Sequence, residues 1–213
     1  MHSTFHTLKL DEKGFDFEIF FMLYTGYNSA LWFAYRKKEI RKKELTTQRF
    51  KLTLEKLGIN EVDPAEMNRI YLSEMPKQNK LVEGAIDLLD YLKNKNYQLF
   101  IITNGFSEVQ YNKLKSSKLL PYFNKIFISE EIKAPKPARE IFDYAIKSAN
   151  ARKSTSLMIG DDLEVDVLGA IRAGIDAVYV HHSNNRGVEM ERHNELNDRY
   201  LAIAELQELK RRL

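Results

Sequence analysis

Three aspartates cluster where a short apolar segment ends in the second half of the chain. Asp161 and Asp162 directly follow Ile159 and Gly160, and Asp166 comes about one helical turn later. If a helix begins here, Asp162 and Asp166 lie on one face of it, while Asp161 projects from the strand end. Mg²⁺ is usually held by one or two carboxylates together with waters and substrate phosphate. The turn therefore indicates a site for magnesium and phosphate, with ordinary helix capping as the alternative.

Lys136 is the second candidate for chemistry. It stands between Pro135 and Pro137, directly before an apolar pattern at helical spacing. Proline rings restrict the backbone, and Pro137 is expected at the first helical position. An ammonium group directed in this way can offset phosphate charge or hold neighbouring carboxylates. A surface lysine in a helix-start turn is the alternative interpretation.

A third candidate follows another apolar segment, where Thr103 and Asn104 precede a turn at Gly105. Ser107 and Gln110 then match a capping box that opens a helix. Backbone N–H groups and the positive end of the helix dipole at such a turn favour a phosphate. Turns of this composition are also common without any ligand.

The elements that must bring these segments together are indicated by alternating helices and strands. Strands are predicted at 98–103, 125–129, 156–160 and 177–181, and helices at 81–94, 107–116, 138–150, 164–173 and from about 204. This alternation is typical of a parallel sheet with helices on both faces. Ligands of such sheets bind beyond the carboxyl ends of the strands, where all three candidates lie. His181 and His182, which close the last predicted strand, receive no role.

The first part of the chain has a different pattern. Phe17, Phe20 and Tyr24 recur at helical spacing, and no alternating strand pattern is found among residues 16–75. Further helices are predicted at 43–57, closed by Gly58, and at 64–73. We therefore expect two regions, an all-helical one over residues 1–78 and an α/β one over residues 79–213.

Composition narrows the function classes. The chain has 213 residues, and its 33 basic and 30 acidic residues give a net charge of +3, too even a balance to indicate nucleic acid or a membrane surface. The absence of cysteine excludes disulfides and thiolate zinc sites, and fits a cytoplasmic protein. The apolar runs are too short to span a bilayer, and the N-terminus has no signal pattern.

The order of the three candidates, hydroxyl first, lysine second and acids third, resembles motifs II, III and IV of the haloacid dehalogenase superfamily of phosphohydrolases. The resemblance extends from about residue 81 to the C-terminus. Upstream, the segments 30–40 and 44–59 resemble the helical cap of the 5′-nucleotidase-like branch. The resemblance implies a Rossmann-like parallel sheet with helices on both faces, together with an all-helical cap.

Carried over to the matching positions, the resemblance implies that Thr103, Asn104 and Gly105 bind the transferring phosphoryl group. Lys136 would stabilise the charge of this phosphoryl group. It is the one catalytic residue that the resemblance assigns in this sequence. A receiver domain of a signalling protein also combines acids, a hydroxyl and a lysine, but there the acids come early and the lysine last.

For the metal, the resemblance implies that Asp161 binds Mg²⁺. Asp166 would support the metal or Lys136, and Asp162 is a competing ligand. Three clustered acids favour a phosphatase over a dehalogenase, because halide displacement needs no metal and the acids would then only repel one another.

The implied activity is magnesium-dependent hydrolysis of nucleoside monophosphates or other small phosphate monoesters through an aspartyl-phosphate. The helical region would act as a lid that excludes water. Trp32, Phe33 or Tyr35 could stack on a base, although such aromatics are more often helix core. No oligomeric state is indicated.

The chain departs from the family pattern at the nucleophile. The family begins with an apolar strand that ends in Asp-x-Asp, and nothing here matches it. The nearest candidate, Asp16, follows Lys13 and Gly14 and is followed by aromatics at helical spacing.

The missing strand lies centrally in the family sheet, between the strands that end at Thr103 and Gly160. Leaving it out would expose two strand edges, and each unpaired buried N–H or C=O group costs about 1–3 kcal/mol. We therefore expect either that another segment, with residues 3–10 as the nearest choice, fills this position or that the natural protein is longer. A non-catalytic protein that binds phosphate and metal is the alternative function.

Overall fold

The computed structural model describes residues 1–181 and 200–213, and these divide into two units. The first unit is Met1–Asn79 and the second is Lys80–Leu213. None of the helices in the described ranges is long and apolar enough to cross a membrane.

The first unit is entirely helical among its regular elements. Its helices are α1 (His2–Thr7), α2 (Phe17–Arg36), α3 (Lys42–Lys56) and α4 (Pro64–Glu74), followed by a 3₁₀ turn at Met75–Lys77. The Asp16 carboxylate accepts a hydrogen bond from the Ile19 N–H and caps α2. Asp16 is therefore placed as a helix cap, consistent with the aromatic spacing after it.

Aromatic and aliphatic side chains from all four helices form the core of this unit. Its buried members are Phe5, Leu10, Phe20, Tyr24, Phe50, Leu54, Ile59 and Met67. Because Phe5 lies in α1 and both Phe5 and Leu10 are fully buried in this core, residues 3–10 do not serve as a strand of the other unit. The suggestion that they could replace the missing strand is therefore wrong. Their apolar side chains are already used in helix packing.

The second unit alternates strands and helices. Its helices are α5 (Ala85–Asn94), α6 (Ser107–Ser116), α7 (Ser129–Ile132), α8 (Arg139–Ser148) and α9 (Leu168–Arg172). Its strands are β1 (Phe100–Thr103), β2 (Lys125–Ile128), β3 (Leu157–Gly160), β4 (Asp176–Val180) and β5 (Tyr200–Ile203). Short 3₁₀ turns occur at Leu120–Tyr122, Lys153–Thr155 and Leu206–Arg211.

The C-terminal part differs from the prediction. The sequence pattern led us to expect a helix from about residue 204, and the structure has a six-residue 3₁₀ helix at Leu206–Arg211, preceded by the strand β5, which was not predicted. A strand of four residues carries too little periodicity to be recognised, and its pairing with β4 is a long-range contact. His182 lies outside the described residues.

The five strands form two parallel sheets. One contains β1 and β2, and the other has the order β3-β4-β5. In β4, Ala177 and Tyr179 belong to a core cluster with α8 and α9, while Val178 and Val180 belong to a cluster with α5. Because alternate residues of a strand point to opposite faces, helices cover both faces of this sheet.

A cleft separates the two sheets. Within the described ranges, β1 pairs only with β2 and β3 pairs only with β4, so each keeps one ladder edge without a strand partner. A cavity of about 850 Å³ is lined by all four residues of β1 and all four of β3. We refer to this cavity as the β1/β3 cleft.

Candidate active site

The tip of β1 forms one side of the site. Thr103 is the last residue of β1, and its hydroxyl oxygen accepts a hydrogen bond from the Gly105 N–H at 3.0 Å. The hydroxyl hydrogen can still be donated to a phosphate oxygen. The turn at Gly105 is therefore held by Thr103 itself.

The helix that follows starts differently from the prediction. Ser107 is the first residue of α6, and the preceding Phe106 provides no side-chain cap. The expected capping box is wrong, because Glu130 from a distant segment accepts the Ser107 N–H at 3.0 Å and the Gln110 side chain lies against Gly105. Glu130 was missed because a cap supplied from 23 residues away has no local sequence signal.

Asn104 connects the tip of β1 to Lys136. The Asn104 side-chain oxygen accepts the Lys136 N–H at 2.8 Å, and its amide nitrogen donates to the Lys136 carbonyl at 2.9 Å. Two hydrogen bonds from one planar amide fix both the position and the direction of the lysine backbone. This is a different use of Asn104 from the phosphate contact that was predicted for its backbone amide, and the two uses are compatible.

The Lys136 side chain is buried and directed into the site. Its ammonium forms an ion pair with Asp166 Oδ1 at 2.6 Å and donates to the Ile102 carbonyl at 2.8 Å. The two charged side chains are only about a tenth exposed, at 10% and 9%. Buried charges are tolerated when they are paired and hydrogen bonded, so this ion pair defines a fixed charged centre.

The approach to Lys136 differs from the prediction at Pro137. Helix α8 begins at Arg139 with Ala138 as its N-cap, so Pro137 does not occupy the first helical position. The Ala138 N–H instead donates to the Pro135 carbonyl at 2.9 Å, which closes a reverse turn before the helix. The restricted backbone of Pro137 therefore belongs to this reverse turn and not to the first turn of α8.

The acidic segment after β3 contains a single π-helical turn, Leu163–Val167. Asp162 is its N-cap, and its carboxylate accepts the Val165 N–H at 2.9 Å. Asp166 is buried on this turn and pairs with Lys136. Single π-helical turns are frequent at functional sites because they displace side chains from regular helical positions.

Gly160 is required by the close packing of this turn. A Cβ atom built at Gly160 would lie 2.4 Å from the Asp166 Cβ and 2.6 Å from its Oδ2. Any side chain at Gly160 would therefore displace the carboxylate that pairs with Lys136. The glycine keeps the end of β3 and the charged centre in direct contact.

Four of the predicted site residues line the β1/β3 cleft together. They are Thr103, Lys136, Asp161 and Asp166. Asn104 and Gly105 are joined to this group through Lys136 and Thr103, and Asp162 follows Asp161 directly and caps the turn that carries Asp166. The three segments that the sequence singled out therefore meet at one end of the parallel strands.

Oxygen ligands for a hard cation are present, but they are not equivalent. Asp161 follows β3 and lines the cleft. The Asp162 carboxylate accepts the Val165 N–H and the Asp166 carboxylate pairs with the Lys136 ammonium, and the described part of the chain holds no group of three acids or histidines arranged around one point. Since Mg²⁺ needs only one or two protein carboxylates when phosphate and water complete its shell, the acidic segment fits this ion, and Asp161 as its direct ligand stays a prediction.

Comparison with known proteins assigns the chain to a family. The family model described as haloacid dehalogenase-like hydrolase matches residues 26–180. The chain belongs to the haloacid dehalogenase-like hydrolases. This haloacid dehalogenase-like hydrolase is 36% identical over 183 residues to the pyrimidine 5′-nucleotidase PynA of Streptococcus pneumoniae, a match that covers 84% of this chain and 77% of PynA. It is also 36% identical over 165 residues to the pyrimidine 5′-nucleotidase YjjG of Escherichia coli, covering 76% of this chain and 72% of YjjG.

A solved structure extends the same assignment. The magnesium-bound HAD-hydrolase YfnB of Bacillus subtilis superimposes with a TM-score of 0.83 at 28% identity, covering 100% of this hydrolase and 90% of YfnB. The family and its 5′-nucleotidase-like branch, the α/β fold and the helical cap, all predicted from the sequence, are thereby confirmed. The chain is related to phosphatases and nucleotidases of this family.

Proposed function

We propose that this hydrolase is a magnesium-dependent phosphatase that acts on nucleoside monophosphates or other small phosphate monoesters. The observation that carries the proposal is the meeting of Thr103, Lys136 and Asp161 at one end of the cleft. A hydroxyl donor, an ammonium and a carboxylate at one point suit a phosphate dianion with its cation.

Each residue has a distinct part in this proposal. The Thr103 hydroxyl and the Asn104 backbone N–H donate to phosphate oxygens. The Lys136 ammonium offsets the negative charge that the phosphoryl group carries as it is transferred. Asp166 is a positioning residue, because it touches Lys136 and holds the ammonium in place. Asp161 holds Mg²⁺, which would supply further charge stabilisation when bound.

The proposed reaction has two displacements. A carboxylate oxygen attacks phosphorus while the bond from phosphorus to the ester oxygen breaks, which gives an aspartyl-phosphate and an alcohol that takes up a proton. Water then attacks the same phosphorus, the acyl-phosphate bond breaks, and the carboxylate and inorganic phosphate are released.

The attacking carboxylate must come from the β1/β3 cleft. Asp161 and Asp166 are used for the metal and for Lys136, and Asp16 caps a helix in the other unit. A strand lying between β1 and β3 would place the residue after its last apolar position beside Thr103 and Lys136. We therefore propose that turnover requires an aspartate presented by a strand in this position.

Substrate identity rests on the relatives. PynA and YjjG are pyrimidine 5′-nucleotidases, and we extend this substrate class to the present hydrolase. In α2, Phe33 is 53% exposed, and the half-buried Trp32 and Tyr35 form an edge-to-face pair with centroids 5.7 Å apart. The stacking of a base on one of these rings stays a prediction.

The alternative is a protein that binds phosphate and metal and never turns over. It is favoured by the same cleft, because the charged centre is complete without an attacking carboxylate. The two functions differ only in whether a carboxylate reaches the phosphorus.

The test measures binding and turnover on the same chain. Calorimetry with inorganic phosphate, with and without Mg²⁺, should show metal-dependent binding that Asp161→Asn weakens by about tenfold or more, since one ligand charge is lost. Asp176→Asn, which changes an exposed acid at the opposite end of β4, is the matched control and should bind normally.

Hydrolysis of p-nitrophenyl phosphate and pyrimidine nucleoside monophosphates is followed in parallel. Turnover that Asp161→Asn abolishes would show an attacking group within the 213 residues and support the phosphatase. Phosphate binding that is independent of Mg²⁺ and of Asp161 would reject the proposed site.

A further inference from the structure

We propose that Asn28 is a specificity-determining residue that binds a pyrimidine base through its side-chain amide, with Trp32 providing the ring on which the base stacks. Both residues belong to α2 of the helical unit, and they are four positions apart, so they lie on the same face of this helix. The inference deepens the function proposed above, and it rests on that function for the link between this base site and a phosphate ester.

Arg49 is the group that fixes the Asn28 amide. Its side chain is 3% exposed, and within the described ranges no carboxylate pairs with it and its Nε has no hydrogen-bond partner. A buried guanidinium without a counter-charge is destabilising. Its hydrogen bonds go to the side-chain oxygens of Asn28 at 3.3 Å and Asn68 at 2.7 Å. The geometric effect of the buried charge is therefore to orient two amides.

The direction of the Asn28 amide follows from the chemistry of its partners. A guanidinium can only donate, so the Asn28 atom that faces Arg49 is the oxygen, Oδ1. The Tyr24 hydroxyl donates to the same oxygen at 3.4 Å, and burial raises the pKa of this hydroxyl, which therefore keeps its proton. Because Oδ1 is held by two donors, the Nδ2 group of the amide points away from them.

The Nδ2 group of Asn28 is left available as a donor. Asn28 is half-buried, and in the part of the chain that the structure describes its Nδ2 has no hydrogen-bond partner and is not enclosed. Since Oδ1 is already occupied, this side chain can donate to a ligand but cannot accept from one. The site therefore requires a ligand that presents an acceptor at this point.

This one-way hydrogen bonding discriminates between bases. Uracil, thymine and cytosine all carry the carbonyl oxygen O2, so each of them offers an acceptor to Asn28. An asparagine recognises adenine with both halves of its amide, because it donates to a ring nitrogen and accepts from the amino group. The accepting half of Asn28 is taken by Arg49 and Tyr24, so adenine would form only one of these two bonds. The geometry therefore favours a pyrimidine over adenine.

Trp32 supplies an aromatic surface next to this donor. Residues four apart on a helix are neighbours on its surface, and Trp32 is half-buried, so part of its ring is open. Its indole packs edge-to-face against Tyr35 with centroids 5.7 Å apart, which restricts the orientation of the ring. Stacking of a base on an aromatic side chain is strong and tolerates any base. Trp32 would therefore contribute affinity, and Asn28 the choice of base.

The experiment uses the whole chain, in which Trp32 is the only tryptophan, so its fluorescence reports on this site alone. Uridine and cytidine, which carry no phosphate, should quench this fluorescence saturably and with similar affinities. Adenosine should bind about tenfold more weakly, because its amino group is left without an acceptor. This comparison needs no variant.

Two aspartate variants form a matched pair. Asn28→Asp and Asn68→Asp each replace an amide oxygen that accepts from Arg49 by a carboxylate oxygen that still accepts from it, so both are expected to fold. The carboxylate in Asn28→Asp has no N–H to donate and repels a base carbonyl, so uridine affinity should fall by about tenfold or more. Asn68→Asp should leave uridine affinity unchanged. Circular dichroism ensures that both variants are compared as folded proteins.

The outcomes separate the base site from the proposed function. Saturable quenching that favours pyrimidine nucleosides and is weakened only in Asn28→Asp supports the base site. Absence of saturable quenching, equal affinity for adenosine, no effect of Asn28→Asp, or an equal loss in Asn68→Asp overturns it. Nucleoside binding by a chain that does not bind phosphate would uphold the base site and reject the phosphatase, and phosphate binding without nucleoside binding would do the reverse.

Discussion

Among the residues that the structure describes, each of the two units buries one cationic side chain, and the two side chains have different kinds of partner. In the helical unit, Arg49 is 3% exposed and its guanidinium donates to the side-chain oxygens of Asn28 at 3.3 Å and Asn68 at 2.7 Å. The rings of Phe50 and Tyr71 lie within 5.1 Å and 4.9 Å of its central carbon. In the α/β unit, Lys136 is held by a carboxylate and a backbone carbonyl.

The difference indicates what each cation does. Arg49 contacts neutral amide oxygens and ring faces and connects α2, α3 and α4, although its buried Nε has no hydrogen-bond partner, so Arg49 acts in packing. Burial raises the pKa of the Tyr24 hydroxyl in the same cluster, so that group stays neutral beside the guanidinium. Lys136 instead sits at the tip of two strands with a compact ammonium, the form that suits a phosphate.

The largest effect is expected at the Lys136–Asp166 pair. Lys136→Met leaves the Asp166 carboxylate buried without its partner, which should lower the free energy of unfolding by about 3–5 kcal/mol. Phosphate affinity should fall roughly tenfold to a hundredfold, since a charge-assisted contact is lost. Urea denaturation and calorimetry measure the two effects.

The double variant Lys136→Met with Asp166→Leu separates stability from function. It should recover most of the stability, because no buried charge remains, and should still fail to bind phosphate. Normal phosphate binding by the double variant would contradict the assignment of Lys136.

The next largest effect is expected at Arg49, the buried cation of the helical unit. Arg49→Met should lower the free energy of unfolding by about 1–3 kcal/mol, because the Asn28 and Asn68 oxygens lose a buried donor. Phosphate binding should be unchanged, as expected for a cation that acts in packing. A weaker phosphate affinity in Arg49→Met would remove the distinction between the two cations.

A smaller effect is expected at Asn104, because its side-chain amide binds the neutral Lys136 backbone and not a charged group. Asn104→Ala breaks two hydrogen bonds to Lys136 and should cost about 1–2 kcal/mol. Since these bonds also position the ammonium, phosphate affinity should fall together with stability. Asn104→Asp keeps the acceptor for the Lys136 N–H and loses the amide donor, so its stability should fall between those of the alanine variant and the wild type.

The smallest effect concerns an exposed ion pair and its pH dependence. The hydrogen bond from Lys153, aided by Arg139, lowers the pKa of Asp143 despite partial desolvation. The pair therefore stabilises the fold above the ordinary carboxyl pKa, and this contribution is lost as pH falls through the lowered folded value. Solvent screening limits it to less than about 1 kcal/mol.

Asp143→Asn should show this loss directly. Its difference in urea midpoint from the wild type should be present at neutral pH and should disappear in acid. A difference that persists below the folded pKa would indicate a packing effect of Asp143.

The sequence predicted where the strands end and which polar residues follow them. Strand ends at Thr103 and Gly160 could be recognised because each follows an apolar run, and parallel strands bring such ends to one edge. What it could not show were contacts between distant segments, such as the Asn104 amide on Lys136 and the Glu130 cap of α6. Residues 3–10 were misjudged because threonine and leucine serve a short helix or a strand equally well, and burial against Phe20 decided between them.

The two hydrogen bonds between the Asn104 side chain and the Lys136 backbone allow the stability of the site to be measured at a single amide. The Lys136 N–H points into a side-chain oxygen and belongs to no helix or strand ladder, so its exchange with deuterium reports on that one contact. Slow exchange at Lys136 means that the tip of β1 and the lysine turn move as one body. Exchange that is faster than that of the β1 amides means that the turn carrying Lys136 opens while the sheet stays intact.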